Sequence, residues 1–384
     1  MNDEFIYLDN AATTWPKPEP VYRAVEQAMR VRGANPGRSS HRMSMQAERI
    51  IEEARLAAAQ FFNAPSAQHV VFTLNCTDSL NIVLKGLLKP GDRVVTGPYE
   101  HNSVMRPLRG LQGAGVAVAV VRGTADFRID LDHLRSLCKD GIDYAVLSHV
   151  SNVTGCVLPI REIAEIVREG GGVLILDASQ SAGVIDIDMR ELGVDILAAP
   201  GHKSLLGPMG VGLLALGRDI PIKPLREGGT GIKSEGDYHP QDLPWRLEAG
   251  TANLPGIAGL LAGIEFIRSE GIGAIARHEA ELAGALAAGL RAIDGARLFC
   301  DPGEPQTGVV SFVLDAVDVS LAGTILDQAF HIGVRAGLHC APAAHQALGT
   351  FPAGTLRAGF GYFNNDQHVE RLLSAVREIL SDKT

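Results

Sequence analysis

No C-x-x-C pair occurs in this 384-residue chain, and its five cysteines, Cys76, Cys138, Cys156, Cys300 and Cys340, are odd in number and widely spaced. That excludes a zinc ribbon and fits a reducing compartment rather than a disulfide-stapled secreted domain. Also missing is any uninterrupted run of about 20 apolar residues long enough to span a bilayer. The first residues, Met1-Asn2-Asp3-Glu4, lack the basic and apolar regions of a signal peptide, so the expected location is the cytoplasm, with no membrane partner. Basic charge is in deficit: 35 Lys and Arg against 44 Asp and Glu give a net charge of −9 without a basic cluster. Nucleic acid is therefore not an expected partner. No G-x-G-x-x-G follows the first predicted strand and no Walker pattern precedes Lys203-Ser204, which makes a nucleotide-binding oxidoreductase a remote alternative.

What is present is a globular composition, 46% hydrophobic and 21% charged, on a chain long enough for two lobes. Short apolar runs at Val70 to Thr73, Val94 to Thr96, Val116 to Val121, Tyr144 to Leu147, Val173 to Leu176, Ile196 to Ala199 and Val211 to Leu216 read as buried strands. Helical spacing separates most of them, for example at Asp78 to Leu88, Ser103 to Leu111 and Ile160 to Arg168. Such alternation predicts an α/β fold, a mostly parallel seven-stranded sheet with helices on both faces. Between Glu227 and Gly250 the pattern dissolves into an irregular stretch too long for an ordinary connection. Beyond it, strands at Val309 to Leu314 and Gly354 to Phe360 around a helix at Leu321 to His331 predict a smaller α+β unit.

Ligands of such sheets bind beyond the carboxyl ends of the strands, and the residues there are rich in chemistry. Lys203 lies between two apolar runs, a setting that disfavours its charge and suits Schiff-base formation with a carbonyl cofactor. Asp177 ends the run Val173-Leu174-Ile175-Leu176; it is either a helix cap or the partner of the protonated ring nitrogen of pyridoxal phosphate, with Gln180 donating to a ring oxygen. Asn75-Cys76-Thr77 opens a helix after a strand, where free N–H groups and the Thr77 hydroxyl suit a phosphate, unless Thr77 is only an N-cap. His202 and Thr251 are further candidates, each equally readable as a plain loop residue. His101 reads either as a capping residue or as an imidazole over the cofactor ring, suited to proton transfer. Cys340, in a loop with Gly337 and His339 and near Arg335, is placed to favour a thiolate. Arg357, on a predicted strand, offers a fork of donors to a substrate carboxylate.

Taken together, Tyr7-Leu8-Asp9-Asn10-Ala11-Ala12-Thr13, Glu100-His101-Asn102, Asp177-Ala178-Ser179-Gln180-Ser181, Gly201-His202-Lys203, Glu248-Ala249-Gly250-Thr251-Ala252-Asn253 and Arg335-Ala336-Gly337-Leu338-His339-Cys340-Ala341-Pro342 resemble the cysteine desulfurases. These are class V aminotransferase-like, fold type I enzymes dependent on pyridoxal 5'-phosphate. The short loop around Cys340 is similar to that of the SufS-like, group II desulfurases and selenocysteine lyases. The resemblance implies conversion of L-cysteine to L-alanine, with sulfur passed to Cys340 as a persulfide for an acceptor protein, as in iron–sulfur cluster assembly. It implies Lys203 as the Schiff-base lysine, Asp177 and Gln180 at the ring and His101 stacked on it. Thr77 and His202 would hold the phosphate, with Thr251 entering from the second subunit of a homodimer. Asn152 and Arg357 would hold the substrate carboxylate, with Arg335 a further substrate-binding residue. A large domain at 16–256 would bind the cofactor, and a small domain formed by 1–15 and 257–384 would carry the Cys340 loop. Selenocysteine lyase, C–S lyase and aminotransferase activity are the alternatives on the same fold, and a non-catalytic sulfur-handling protein is a further one. One departure stands out: Pro200 occupies a position that is commonly a phosphate-binding serine.

Overall fold

The computed structural model describes residues 5–37, 41–232, 235–299, 307–315 and 317–381. Cys300 lies outside them, as do Arg38, Ser39 and Ser40 of the loop before the second helix. Among the described residues the strands are, in chain order, β1 (Ile6–Tyr7), β2 (Val70–Thr73), β3 (Arg93–Thr96), β4 (Ala117–Val120), β5 (Tyr144–Ser148), β6 (Val173–Asp177), β7 (Ile196–Pro200), β8 (Gly212–Leu216), β9 (Ala296–Leu298), β10 (Val309–Leu314), β11 (Ile332–Gly333), β12 (Arg335–Gly337) and β13 (Thr355–Gly359).

Seven of them form the predicted sheet in the order β2-β8-β7-β6-β5-β3-β4. It is parallel from β7 through β4, while β8 runs antiparallel to both of its neighbours. The unbroken apolar runs follow from burial on both faces. Leu174, Leu176, Leu197 and Ala199 enter one core, whereas Ile175, Ile196 and Ala198 enter the core on the other side. Each such leucine or isoleucine contributes ~1.5–3 kcal/mol by leaving water. The alternation also decides where Asp177 points. It shares the parity of Ile175, so its carboxylate emerges on the face covered by the helix Cys76–Leu87, whose Cys76 belongs to the same core.

A separate core gathers Ile6 and Leu8 with Leu282, Leu286 and Leu290 of the helix Ile272–Arg291, with Phe312 and Leu356, and with Leu372 and Val376 of the helix Asp366–Ser381. Its antiparallel sheet has the order β12-β13-β10-β9. The N-terminal strand β1 pairs with β11, so the start of the chain is stitched to its last third. Among the described residues there is no helix or strand between Leu216 and Leu254, in keeping with the irregular stretch expected there. No helix among them is long and apolar enough to cross a membrane.

Candidate active site

At the carboxyl ends of β3, β5, β6 and β7 lies a cavity of about 490 Å³. Its lining includes Cys76, Thr77, His101, Asn152, Asp177, Gln180, His202, Lys203, Arg335, Cys340 and Arg357. Eleven of the twelve residues singled out in the sequence thus converge on one space. The twelfth, Thr251, is exposed and does not line it.

Lys203 follows β7 by three residues, and burial pulls its amine below the usual lysine range, an effect opposed by the Asp177 carboxylate. A neutral amine is the nucleophilic form. Asp177 is itself buried, with Oδ1 accepting from Ser179 N at 2.9 Å and lying 3.5 Å from Cys76 Sγ. Burial, reinforced by that carboxylate, pushes the Cys76 thiol up, so Cys76 is a neutral weak donor rather than a second nucleophile.

The cap of the helix Cys76–Leu87 is Asn75, not Thr77: its side chain accepts from Asp78 N, and its carbonyl accepts from Ser79 N. That leaves the first two donors, on Cys76 and Thr77, for an anion at a helix N-terminus. Across the cavity His202 Nδ1 is buried without a partner. Burial pulls this imidazole down to about 4, with Lys203 and Lys17 adding repulsion, so it is neutral at pH 7. Gln180 donates one amide proton to the Ala11 carbonyl at 2.9 Å, which leaves its second proton for a ligand.

His101 is a helix cap that also faces the cavity. It caps the helix Asn102–Gly113, with Nδ1 accepting from Ser103 N at 3.0 Å and Ser103 Oγ at 2.8 Å, and its ring lines the cavity. A backbone N–H can only donate, so Nδ1 is the unprotonated nitrogen and Nε2 carries the proton. Burial first, then the Lys203 charge, lowers its pKa to about 4. The preceding Glu100 is buried and braces β5 by accepting from Ser148 N and Oγ; burial raises its pKa to about 7.

Arg357 is almost completely enclosed. Its Nη2 pairs with Asp9 Oδ1 at 2.9 Å, Nη1 donates to the Asn152 carbonyl at 3.0 Å, and Nε has no partner. Burial lowers its pKa, partly offset by Asp9. Asn152 also donates from its side chain to the His339 carbonyl at 2.8 Å, so it already touches the cysteine loop. Cys340 is exposed, lies 3.7 Å from Arg335 Nη2, and adopts a left-handed backbone together with His339 (φ 56° and 49°). A wider groove of about 760 Å³, which includes Lys85, Arg106 and Leu111, opens on Cys340 and shares Thr77 and His101 with the cavity. Asp9, Ser148, Ser179 and His339 carry no assigned role in the sequence, though each touches or lines this site. For Asp9 the available signal was the polar residue closing the run Ile6-Tyr7-Leu8.

The chemistry of the donor set fits pyridoxal phosphate. It offers a depressed amine, a buried carboxylate, open helix-start amides and an orphaned imidazole nitrogen within one cavity. Comparison with known proteins agrees. The family model for class-V aminotransferases matches residues 6–372. A probable cysteine desulfurase of Methanothermobacter thermautotrophicus is 35% identical over 98% of this chain and 95% of the relative. A cysteine desulfurase of Haloferax volcanii is 33% identical over 97% and 88%. Among solved structures, the apo cysteine desulfurase of Thermococcus onnurineus superimposes with a TM-score of 0.92 at 33% identity, covering 99% of this chain and 96% of that one. The cysteine desulfurase CsdA of Escherichia coli gives 0.88 at 30% identity over the same shares. On the fold, the site and these likenesses together, the chain belongs to the class-V aminotransferases and, within them, to the pyridoxal-phosphate-dependent cysteine desulfurases.

Proposed function

We propose that this chain converts L-cysteine to L-alanine and carries the sulfur on Cys340 as a persulfide for transfer to an acceptor protein. The observation that carries the proposal is the exposed Cys340 thiol, beside Arg335, at the mouth of the cavity that contains Lys203. Lys203 would hold the cofactor covalently, Asp177 and Gln180 would address its ring, and Thr77, His202 and the free amides of Cys76 and Thr77 would hold its phosphate. When bound, the cofactor supplies an electron sink that accepts the electron pair released at the substrate's carbon atoms. Arg357, through Nε, and the neighbouring Asn152 would bind the α-carboxylate and so orient the side-chain sulfur toward Cys340.

Cys340 Sγ, 3.7 Å from Arg335 Nη2, would attack the substrate sulfur. One S–S bond forms and one C–S bond breaks; the carbon keeps the electron pair of that bond and takes up one proton in place of the sulfur to leave alanine. Overall, cysteine and one enzyme thiol give alanine and one enzyme persulfide, with no external oxidant. With Nδ1 committed to the helix cap, His101 would act as a donor from Nε2. Action as a base at Nδ1 would require it to release its helix cap, so that role is disfavoured. Lys203, once free of the cofactor, is the basic group placed to move substrate protons.

The active assembly is a homodimer in which the exposed Thr251 of one protomer completes the phosphate site of the other. The proposed division is a large domain at 16–256 and a small domain formed by 1–15 and 257–384; the two separate cores support two units, although Ile257, Leu260, Ile264, Ile267 and Ile275 pack into the core of the large one. The odd number and wide spacing of the cysteines favour the cytoplasm, a reducing compartment. The purified enzyme is expected to be yellow, to lose its visible absorption in Lys203→Ala, and to keep that colour in Cys340→Ser while losing persulfide and alanine formation. Unchanged alanine formation in C340S would reject the persulfide scheme and favour C–S lyase chemistry on the same scaffold. Assays with selenocysteine in place of cysteine separate the selenocysteine lyase alternative.

A further inference from the structure

Lys17 does not line the cavity, yet its side chain is tied to the backbone of the lysine on which the proposed function rests. Its Nζ donates to the His202 carbonyl at 2.7 Å and to Thr14 Oγ1. With that oxygen accepting from the amine, the single Thr14 hydroxyl proton is directed to the Lys203 carbonyl, 3.0 Å away and nearer than the His202 carbonyl at 3.3 Å. The carbonyls of His202 and Lys203 belong to the two peptide groups that flank the Lys203 α-carbon. Lys17 reaches both, one directly and one through Thr14. Thr14 N and Thr13 Oγ1, each at 3.1 Å, close on the same His202 carbonyl.

The same stretch of chain reaches the rest of the site, through Asp9 to Arg357 and through the Ala11 carbonyl to Gln180. Residues 9–17 therefore form a strap across the groups that would handle cofactor and substrate. Within it Lys17 has no evident packing purpose. Burial pulls its amine down to about 7, so placing it there costs stability that an apolar chain of similar length would not.

We infer that Lys17 is a positioning residue for Lys203: with Thr14 as relay, it fixes the two peptide groups that set where the Lys203 side chain leaves the backbone. The inference rests on Lys203 being the cofactor lysine. Displacing a reacting group by about 1 Å costs up to ~10²-fold in rate, and a side chain swings about its own backbone anchor.

The test uses holoenzyme with Lys17→Met, Thr14→Val, Thr14→Ser, the double variant K17M/T14V, and Lys203→Ala as control. In K17M and T14V, kcat is expected to fall about 10-fold or more while KM for L-cysteine stays within about two-fold, and T14S is expected to restore the rate. The double variant should be no worse than the poorer single one, because both act along one path. Deuterium exchange over residues 198–206 should quicken in K17M at an unfolding midpoint no lower than that of the wild type. Unchanged kcat in K17M would overturn the inference, as would a loss of kcat that merely tracks lost cofactor with exchange over 198–206 unaltered. Turnover surviving in K203A would overturn the reading of Lys203 and this inference with it, whereas a dead K203A beside an unaffected K17M would overturn the inference alone.

Discussion

Asp9→Asn isolates the charge that balances Arg357. The backbone of residue 9 is held independently, by its bridge to Gly359 and by Tyr7 OH donating to its carbonyl at 3.2 Å. Asparagine keeps a side-chain oxygen for Arg357 Nη2 and removes only the ionic part. At 2.9 Å a pair of unit charges in an effective dielectric of about 20 attracts by roughly 6 kcal/mol. Asp9 keeps a quarter of its side-chain surface in contact with water while Arg357 keeps 1%, so screening takes part of that. We expect a loss of ~3 kcal/mol, at the low end of the range for breaking a buried pair, because the arginine stays buried without its counter-charge.

With an unfolding entropy of about 2.1 cal/mol/K per residue, a chain of 384 residues would lose ~4 °C from its melting temperature. Asp9 also repels any carboxylate that Arg357 binds. Its removal should therefore let L-alanine, added as product, restore more stability to D9N than it adds to the wild type. Thermal melts of the holoenzyme over a range of alanine concentrations measure both effects. If D9N melts within ~0.5 kcal/mol of the wild type and alanine shifts the two alike, Asp9 does not compensate Arg357 and the carboxylate site lies elsewhere.

The remaining expectations concern acid stability, the cofactor and the dimer. Burial holds His149 near 4, His339 near 2 and His345 near 4, against about 6.5 in the unfolded chain. These bases bind fewer protons folded than unfolded, so their stabilisation is complete above pH ~6.5 and is lost as the pH falls toward 4, by up to ~4 kcal/mol per pH unit. Urea midpoints measured across that window should fall steeply, and a flat profile would contradict the assigned neutral state. Pro200 lines the cavity without an N–H to offer; Pro200→Ser should slow cofactor loss several-fold, since one added hydrogen bond is worth ~1 kcal/mol, and equal dissociation rates would show that the phosphate lies away from residue 200. Thr251→Ala should speed cofactor loss without disturbing a monomer's own cavity. Mixing T251A with Lys203→Ala subunits would reveal the exchange, because only heterodimers place an intact threonine beside an intact lysine.

The seven-stranded sheet was legible because strands buried on both faces read as unbroken apolar runs, and the chemistry sits where those runs stop. Asp177, Lys203 and Thr77 could be found by locating strand ends, and Cys340 by its glycine-flanked loop beside Arg335. Other features carried no comparable local signal. The Asp9–Arg357 pair joins residues 348 positions apart, a contact that no spacing rule reaches. Cys76 looks like any small buried residue until the parity of β6 turns Asp177 toward it. The helix Pro342–Leu348 is short, with Pro342 opening it and Gly349 ending it, and offers little periodicity. By contrast the helix Asp366–Ser381 was absent from the expectations although Val369, Leu372, Leu373, Val376 and Ile379 show the spacing plainly. Asn75 rather than Thr77 caps its helix because the cap precedes the first helical residue, and Cys76 already has helical geometry.

The positions of thiol and carboxylate clamp are not independent. Two consecutive residues, His339 and Cys340, sit in the left-handed region at φ 49° and 56°, which costs roughly 1–2 kcal/mol per non-glycine residue and persists only where surrounding contacts impose it. Those contacts come largely from across the cavity. Asn102 N, in the helix capped by His101, donates to the Cys340 carbonyl at 2.8 Å, and the Asn152 side chain donates to the His339 carbonyl at 2.8 Å. Asn152 in turn presents its own carbonyl to Arg357. The group placed to bind a substrate carboxylate therefore also holds the backbone that aims the thiol, with His339 anchored behind by Thr355 Oγ1 at 2.9 Å. Substrate binding that draws on Asn152 would be felt at Cys340 through a single residue. On the proposed scheme, the distance between the substrate sulfur and Cys340 would therefore depend on Asn152 as well as on Cys340.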